Sequence, residues 1–307
     1  GQGHVFAVGA AIAAKFLAAR TGNPTFAKET IYAYISDGGV QEEISQGAGR
    51  IAGHLGLDNL IMFYDSNDIQ LSTECADVMS ENTEMKYRAW GWHVITINGN
   101  DCEQIRKALD EAKEVKGQPT LIIGHTVMGK GLVTAEGESF EDKVSTHGQP
   151  VSAAGASLEA TIKHLGGDAE NPFQIFPEVA ELFAARAEAL RAEMVERKKI
   201  EVEWRQANPA MAIKLDSFLS GKLPEIDYRS IGIKSGSATR AASATVLGVY
   251  AEQVENMIVA SADLSNSDKT DGFLKKTHAF KRGDFTGKFF QAGVSEFTMA
   301  CVMNGMA

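Results

Sequence analysis

IYAYISDGGVQEEISQGAGRIAGHLGLDNLIMFYDSNDIQL, running from Ile31 to Leu71, reads as a hydrophobic strand ending in Ser36-Asp37-Gly38-Gly39, a helix, and a second hydrophobic strand ending in Asp65-Ser66-Asn67-Asp68. Each strand therefore finishes on a hard oxygen donor. In an open parallel α/β sheet, ligands collect beyond the carboxyl ends of the strands, and helices that start there point free N–H groups outward. An Asp carboxylate from one strand end and an Asn amide oxygen from the next can meet on one ion. Mg²⁺ takes few protein ligands and shares the rest of its shell with phosphate oxygens and water. Asp37, Asn67 and a nearby backbone carbonyl such as that of Ile69 leave room for a diphosphate. The stretch predicts a diphosphate cofactor bridged to the protein by a hard divalent ion, Mg²⁺ or another such as Ca²⁺.

Around this stretch the alternation is regular. Strand Thr30–Ser36, helix Val40–Leu55, strand Leu60–Tyr64, helix Thr83–Ala89, strand His93–Ile97, helix Cys102–Val115 and strand Thr120–His125 follow with short turns. This βα rhythm predicts a doubly wound parallel sheet covered by helices on both faces. Asn98-Gly99-Asn100-Asp101 is a turn and N-cap. Upstream, Gly3 to Arg20 is Ala-rich, apolar at helical spacing and closed by Thr21-Gly22-Asn23-Pro24, as expected of a buried helix. A dinucleotide reading of Gly1-Gln2-Gly3 fails, because the third glycine would fall on Phe6 and no strand precedes it.

Downstream, Met128 to Pro150 holds four glycines, few apolar residues and His147. Loops of this length without regular structure are commonly functional, which makes His147 a candidate site residue. From Phe176 to Trp204 a charged segment carries one apolar stripe, as in a long surface helix. Residues 209–235 read as a linker with at most one short helix, between a first domain at 1–208 and a second at 236–307. In the second, an Ala-rich helix from Ser237 to Asn256 precedes short apolar strands at Met257–Ala260 and Phe289–Gly293, with Asp263 and Glu296 near their ends. A truncated α/β domain of the same type is expected there.

Composition narrows the classes. At 307 residues the chain has room for about two domains of roughly 100–200 residues each. A formal net charge of −10 argues against a nucleic-acid footprint. Cys75, Cys102 and Cys301 are odd in number and widely spaced, so neither a disulfide framework nor a CxxC metal site is expected, and a reducing, cytoplasmic setting fits. No apolar run is expected to approach the roughly 20 residues of a bilayer span, so no membrane partner is expected. The chain starts without Met and stops inside an apolar helical pattern, which reads as an internal slice of something longer.

SDGG-VQEEIS-QGAGRIAGHLGLDNLIMFYDSNDIQLS resembles the thiamine-diphosphate signature of transketolases, and GQGHVFAVGAAIAAK, STHGQP, ATRAAS, SADLSNSD and FFQAGVSEFTMACVMNGMA resemble further transketolase segments in the right order. The resemblance covers nearly the whole chain. It implies a thiamine-diphosphate-binding fold and an enzyme moving a two-carbon ketol unit between sugar phosphates. It also implies a homodimer with the cofactor at the subunit interface, held between the diphosphate-binding domain of one subunit and the pyrimidine-binding domain of the other. By resemblance, Asp37, Asn67 and the Ile69 carbonyl hold Mg²⁺, and Gly38 supplies backbone donors for the phosphates. Glu296 matches the glutamate on the aminopyrimidine ring, and Glu42 an acid linking the two cofactor sites. Asp263 and Leu264 match positions packing around thiamine, Arg240 and Ser267 positions binding the sugar phosphate, and His147 a histidine near the reacting carbon.

The sequence departs from the family at Ser36, where Gly is usual, at Ser66, where related enzymes often have Asn, and at Ser295, where Arg is usual before the glutamate. The family's upstream histidine segments, most of its second domain and its whole third domain fall outside the resemblance, so the slice alone is expected to be weak or inactive. Other thiamine-diphosphate enzymes, such as a deoxyxylulose-phosphate synthase or a dehydrogenase E1 component, are alternatives, against which Arg240, Ser267 and the GVSEF segment argue. A non-catalytic cofactor-binding or dimerisation fragment is the other.

Overall fold

The computed structural model describes residues 1–307. Four parallel strands, β1 (Ile31–Ser36), β2 (Leu60–Ser66), β3 (His93–Asn98) and β4 (Thr120–His125), form a sheet in the order β1-β2-β4-β3. Strand β4 is central and nearly continuously buried, as its Leu-Ile-Ile run requires of a strand covered on both faces. At the edge, β1 leaves Tyr34 80% exposed. Ile31 pairs with Leu60 and Ser36 with Asp65, so β1 and β2 end nearly level, within one residue of one another. That level ending carries the residues just beyond each strand to the same rim of the sheet.

The expected helix Val40–Leu55 starts earlier and is broken. It runs as Asp37–Gln41 and Glu43–Leu55, separated by Glu42 at φ −57°, ψ 134°. Ser36 caps the first piece, its Oγ accepting from the Gly39 N–H at 3.4 Å. Gly56, at φ 63°, ends the second in the left-handed conformation that favours glycine. Asp101 caps the Cys102–Glu114 helix as expected, its carboxylate accepting from the Glu103 and Gln104 N–H groups.

The Gln2–Thr21 helix is the buried helix expected at Gly3–Arg20, but it corrects the expectation that no apolar run approaches the length of a bilayer span. At 20 residues it is long and apolar enough to cross a membrane by length and composition, because its many alanines extend the apolar run. Half of it is nevertheless buried within the fold, where it lies against the Glu296–Met306 helix. The two helices cross at a notch of glycines. A Cβ on Gly9 would stand 2.2 Å from the Val302 carbonyl oxygen, and one on Gly305 2.2 Å from that of Phe6.

The second part carries helix Thr239–Gln253 and two parallel strands, β5 (Val259–Ser261) and β6 (Phe289–Gln291). It does not stand apart. One core of 28 buried residues includes Val5, Ile12, Leu60 and Leu121 of the first part with Phe280, Phe290 and Val302 of the second. Arg282 adds polar ties, donating to the carbonyls of Gly53 at 2.6 Å and Gly117 at 3.1 Å. The long helix Pro177–Ala207 is mostly exposed; its one buried residue is Trp204, which clusters with Ala212 and Leu215. These last two lie on helix Pro209–Leu219, so the expected linker 209–235 begins as a helix packed on its predecessor.

Candidate cofactor site

Asp37 is 1% exposed. Its Oδ1 accepts from the Tyr64 hydroxyl at 2.6 Å and its Oδ2 from the Asn67 N–H at 3.0 Å. Asn67 Oδ1 accepts in turn from the Ile69 N–H at 3.1 Å. The structure thus brings Asp37, Asn67 and Ile69 together at the level ends of β1 and β2. Both direct partners of the carboxylate are neutral, although an ionised group this buried ordinarily has a charged partner or a metal. Each of its oxygens keeps a lone pair beyond the bond described. A hard divalent cation matches this donor set.

Three neighbours of Asp37 escaped the sequence reading. Tyr64 is the phenol on Oδ1; burial, then its hydrogen bond to Asp37, push its pKa well up, so it stays a donor. Asp68, at φ 63°, and Cys75 offer ligand atoms within 4.8 Å of one another and of Asp37. Burial pushes the Cys75 thiol up. Asp65 turns elsewhere, accepting from the Thr126 hydroxyl. The signal for Tyr64 was its place two residues before the strand end, on the side that meets Asp37; Cys75, at the far end of an irregular turn, carried none.

Gly38 is exposed, and a Cβ added to it would meet nothing within 4 Å. The space beside that backbone is open, as an approaching phosphate requires. Glu42 occupies the break between the two helices, and a Cβ on Gly1 would stand 3.0 Å from its Cγ. His147 follows a short 3₁₀ turn at Val144–Thr146, with Nδ1 buried and without a hydrogen-bond partner. Its loop lies against the turn beyond Asn67: a Cβ on Gly148 would stand 3.0 Å from Leu71 Cδ1.

Glu296 is the first residue of its helix and lines a cleft of about 480 Å³ with Glu43, Gln46, Arg50 and Trp90. Asp37, Asn67 and His147 do not line this cleft, so one chain does not gather all the expected site residues. Arg50, which had no signal in the sequence, donates through Nη2 to the Ala292 carbonyl at 2.9 Å and to Ser295 Oγ at 3.2 Å. A guanidinium therefore does reach position 295, from a helix of the first part. Beyond β5, Asp263 adopts φ 70° in a tight turn, and the Leu264 N–H donates to Ser261 Oγ at 3.1 Å. Arg240 Nη1 donates to the Ser267 carbonyl at 3.3 Å, which places these two expected phosphate-binding residues side by side, both exposed.

Residues 1–224 match the family model described as transketolase, thiamine diphosphate binding domain, and residues 235–307 the model described as transketolase, pyrimidine binding domain. The chain belongs to the transketolase family. Among curated relatives it is 34% identical over 317 residues to the transketolase of Halalkalibacterium halodurans and 34% identical over 318 residues to that of Bacillus subtilis. Each alignment covers 100% of this chain and 46% of the relative. The chain thus spans about half the length of the curated transketolases it matches.

Solved transketolases agree in fold. The Leishmania mexicana enzyme superposes with a TM-score of 0.89 at 30% identity, covering 100% of this chain and 45% of that one. A Pichia stipitis transketolase in complex with sedoheptulose 7-phosphate gives 0.89 at 29% identity, covering 100% of this chain and 46% of that one. The expected parallel α/β architecture is therefore that of transketolases. The Asp37 cluster and His147 fall in the diphosphate-binding match, while Arg240, Asp263, Leu264, Ser267 and Glu296 fall in the pyrimidine-binding match. The junction between the two matches lies inside the expected linker 209–235.

Proposed function

We propose that this chain supplies both cofactor-binding portions of a Mg²⁺- and thiamine-diphosphate-dependent transketolase. The enzyme transfers a two-carbon ketol unit from a ketose phosphate to an aldose phosphate, in the cytoplasm and as a homodimer. The observation that carries the reading is the buried Asp37 carboxylate, set beside Asn67 at level strand ends with only neutral partners. When bound, thiamine diphosphate supplies an electron sink for breaking the bond beside a ketose carbonyl.

The residues divide that work. Asp37, Asn67 and the Ile69 carbonyl hold the ion against the diphosphate, and Gly38 lets the phosphates approach the backbone. Asp263 and Leu264 pack against the thiamine rings. Glu296 holds a proton at the aminopyrimidine nitrogen, and Glu42 links the two sites of the dimer. Arg240 and Ser267 bind the sugar phosphate, for which a planar fork suits paired oxygens. His147, with a ring nitrogen free, moves protons near the reacting carbon.

Glu296 and Asp37 lie at separate places in one chain, which supports a cleft completed by a second subunit. The same separation supports a second reading, in which this chain alone binds cofactor without turning over. Isothermal titration with thiamine diphosphate and Mg²⁺, on this chain and on the longest protein that carries it, separates the two. Metal-dependent binding is expected, with Asp37→Ala abolishing it; an Asp37→Ala variant that binds unchanged defeats the ligand assignment. With xylulose 5-phosphate and ribose 5-phosphate the longer protein is expected to form sedoheptulose 7-phosphate, and this chain little or none.

A further inference from the structure

We propose that Arg50 is a positioning residue for Glu296, reaching from the first part of the chain to hold the turn that aims the second part's carboxylate. The proposal rests on the reading of Glu296 as the group that holds a proton at the cofactor ring.

The turn between β6 and the Glu296–Met306 helix is thinly supported. Its first residue is tied by the Ala292 N–H to the Ser261 carbonyl at 3.1 Å, and its last by the Met299 N–H to the Ser295 carbonyl at 2.9 Å. Between them, Gly293 and Val294 make no backbone–backbone hydrogen bond. Side chains carry the gap. Arg50 Nη2 donates to both the Ala292 carbonyl and Ser295 Oγ, while Ser295 Oγ donates to the Ala292 carbonyl at 3.2 Å. The guanidinium also lies over Gly293, at φ 71°, where a Cβ would stand 3.4 Å from Nη1.

One nitrogen of a rigid planar guanidinium, laid along Gly293, thus gathers the segment immediately before Glu296. Arg50 is also the only cation lining the cleft, which holds the carboxylates of Glu43 and Glu296. It sits on the Glu43–Leu55 helix, whose C-terminal end Arg282 of the second part holds through the Gly53 carbonyl. A fixed helix therefore anchors a turn that has little hydrogen bonding of its own. Glu296 opens the next helix, so the direction of its side chain follows the turn.

The test uses the longest protein that carries this chain. Amide hydrogen exchange over 292–297 is measured by mass spectrometry without cofactor. Exchange of the C2 proton of bound thiamine diphosphate for deuterium is measured by NMR. The variants are Arg50→Met, Arg50→Lys, Glu296→Gln, and the exchanged pair Arg50→Ser with Ser295→Arg. Arg50→Met is expected to speed amide exchange over 292–297 and to slow C2 exchange about tenfold, as for one lost charged hydrogen bond. Arg50→Lys keeps the charge without the fork and recovers part of the loss; the exchanged pair, which returns a guanidinium to the turn, recovers both readouts.

Unchanged amide exchange over 292–297 in Arg50→Met overturns the proposal. So does unchanged C2 exchange in that variant when Glu296→Gln slows it. If Glu296→Gln leaves C2 exchange unaltered, the reading of Glu296 fails instead, and the amide data still decide whether Arg50 holds the turn. Should Arg50→Met lose protection throughout the chain, the exchanged pair decides by recovering or failing to recover the C2 rate.

Discussion

His4 sits on the Gln2–Thr21 helix with 4% of its surface exposed and with Nε2 lacking a hydrogen-bond partner. Burial lowers its pKa to about 4. The folded chain therefore keeps the ring neutral while an unfolded chain protonates it below about 6.5. Stability from this group is full above that value and is lost as the pH falls toward 4, by about 3 kcal/mol in all. Denaturant midpoints measured from pH 7 to pH 4 check it; His4→Leu is expected to flatten that part of the profile. At the same scale, Asp37 and Asn67 were legible because strand ends in a parallel sheet face one rim, so two polar residues there had to meet. Arg50 was not legible: its partners lie more than 240 positions away, and nothing on its own helix marks it.

Gly9 and Gly305 decide how closely the first and last helices approach. A methyl group at either position would press into a backbone carbonyl of the other helix, where no side chain can give way. Gly9→Ala is expected to destabilise by about 1–3 kcal/mol, the usual range for overpacking, despite the better helix propensity of alanine. Thermal melting by circular dichroism checks the sign, since a propensity effect alone would raise the midpoint. The strands and the Thr83–Ala89 helix were readable from local pattern because burial and pairing agree with it. The break at Glu42 was hidden, because Gln41, Glu42 and Glu43 all suit a helix and only tertiary structure interrupts them.

The whole chain shares one core, although its composition and linker suggested two domains. Phe280, Phe290 and Val302 bury themselves among first-part residues, and the second part's own sheet has only two strands. Such a sheet is marginal by itself. The chain is therefore expected to unfold in a single transition, with tryptophan fluorescence and far-ultraviolet circular dichroism giving coincident curves. Residues 235–307 expressed alone are expected to give no cooperative melt. Separate transitions by the two probes would show instead that the shared core is too weak to couple the parts. The fold class was visible in the βα rhythm, whereas the joining of the two parts depended on glycines and arginines whose partners are distant in sequence.

The level ending of β1 and β2 has a consequence for how the chain reaches its native state. A slip of one residue between these strands would turn every side chain to the opposite face and shift the strand end by about 3.3 Å. The Asn67 N–H would then no longer meet the Asp37 carboxylate. The bond from the Asn67 N–H to the buried Asp37 carboxylate is thus a proofreader of strand pairing: it rewards only the correct alignment and withdraws its help from every other.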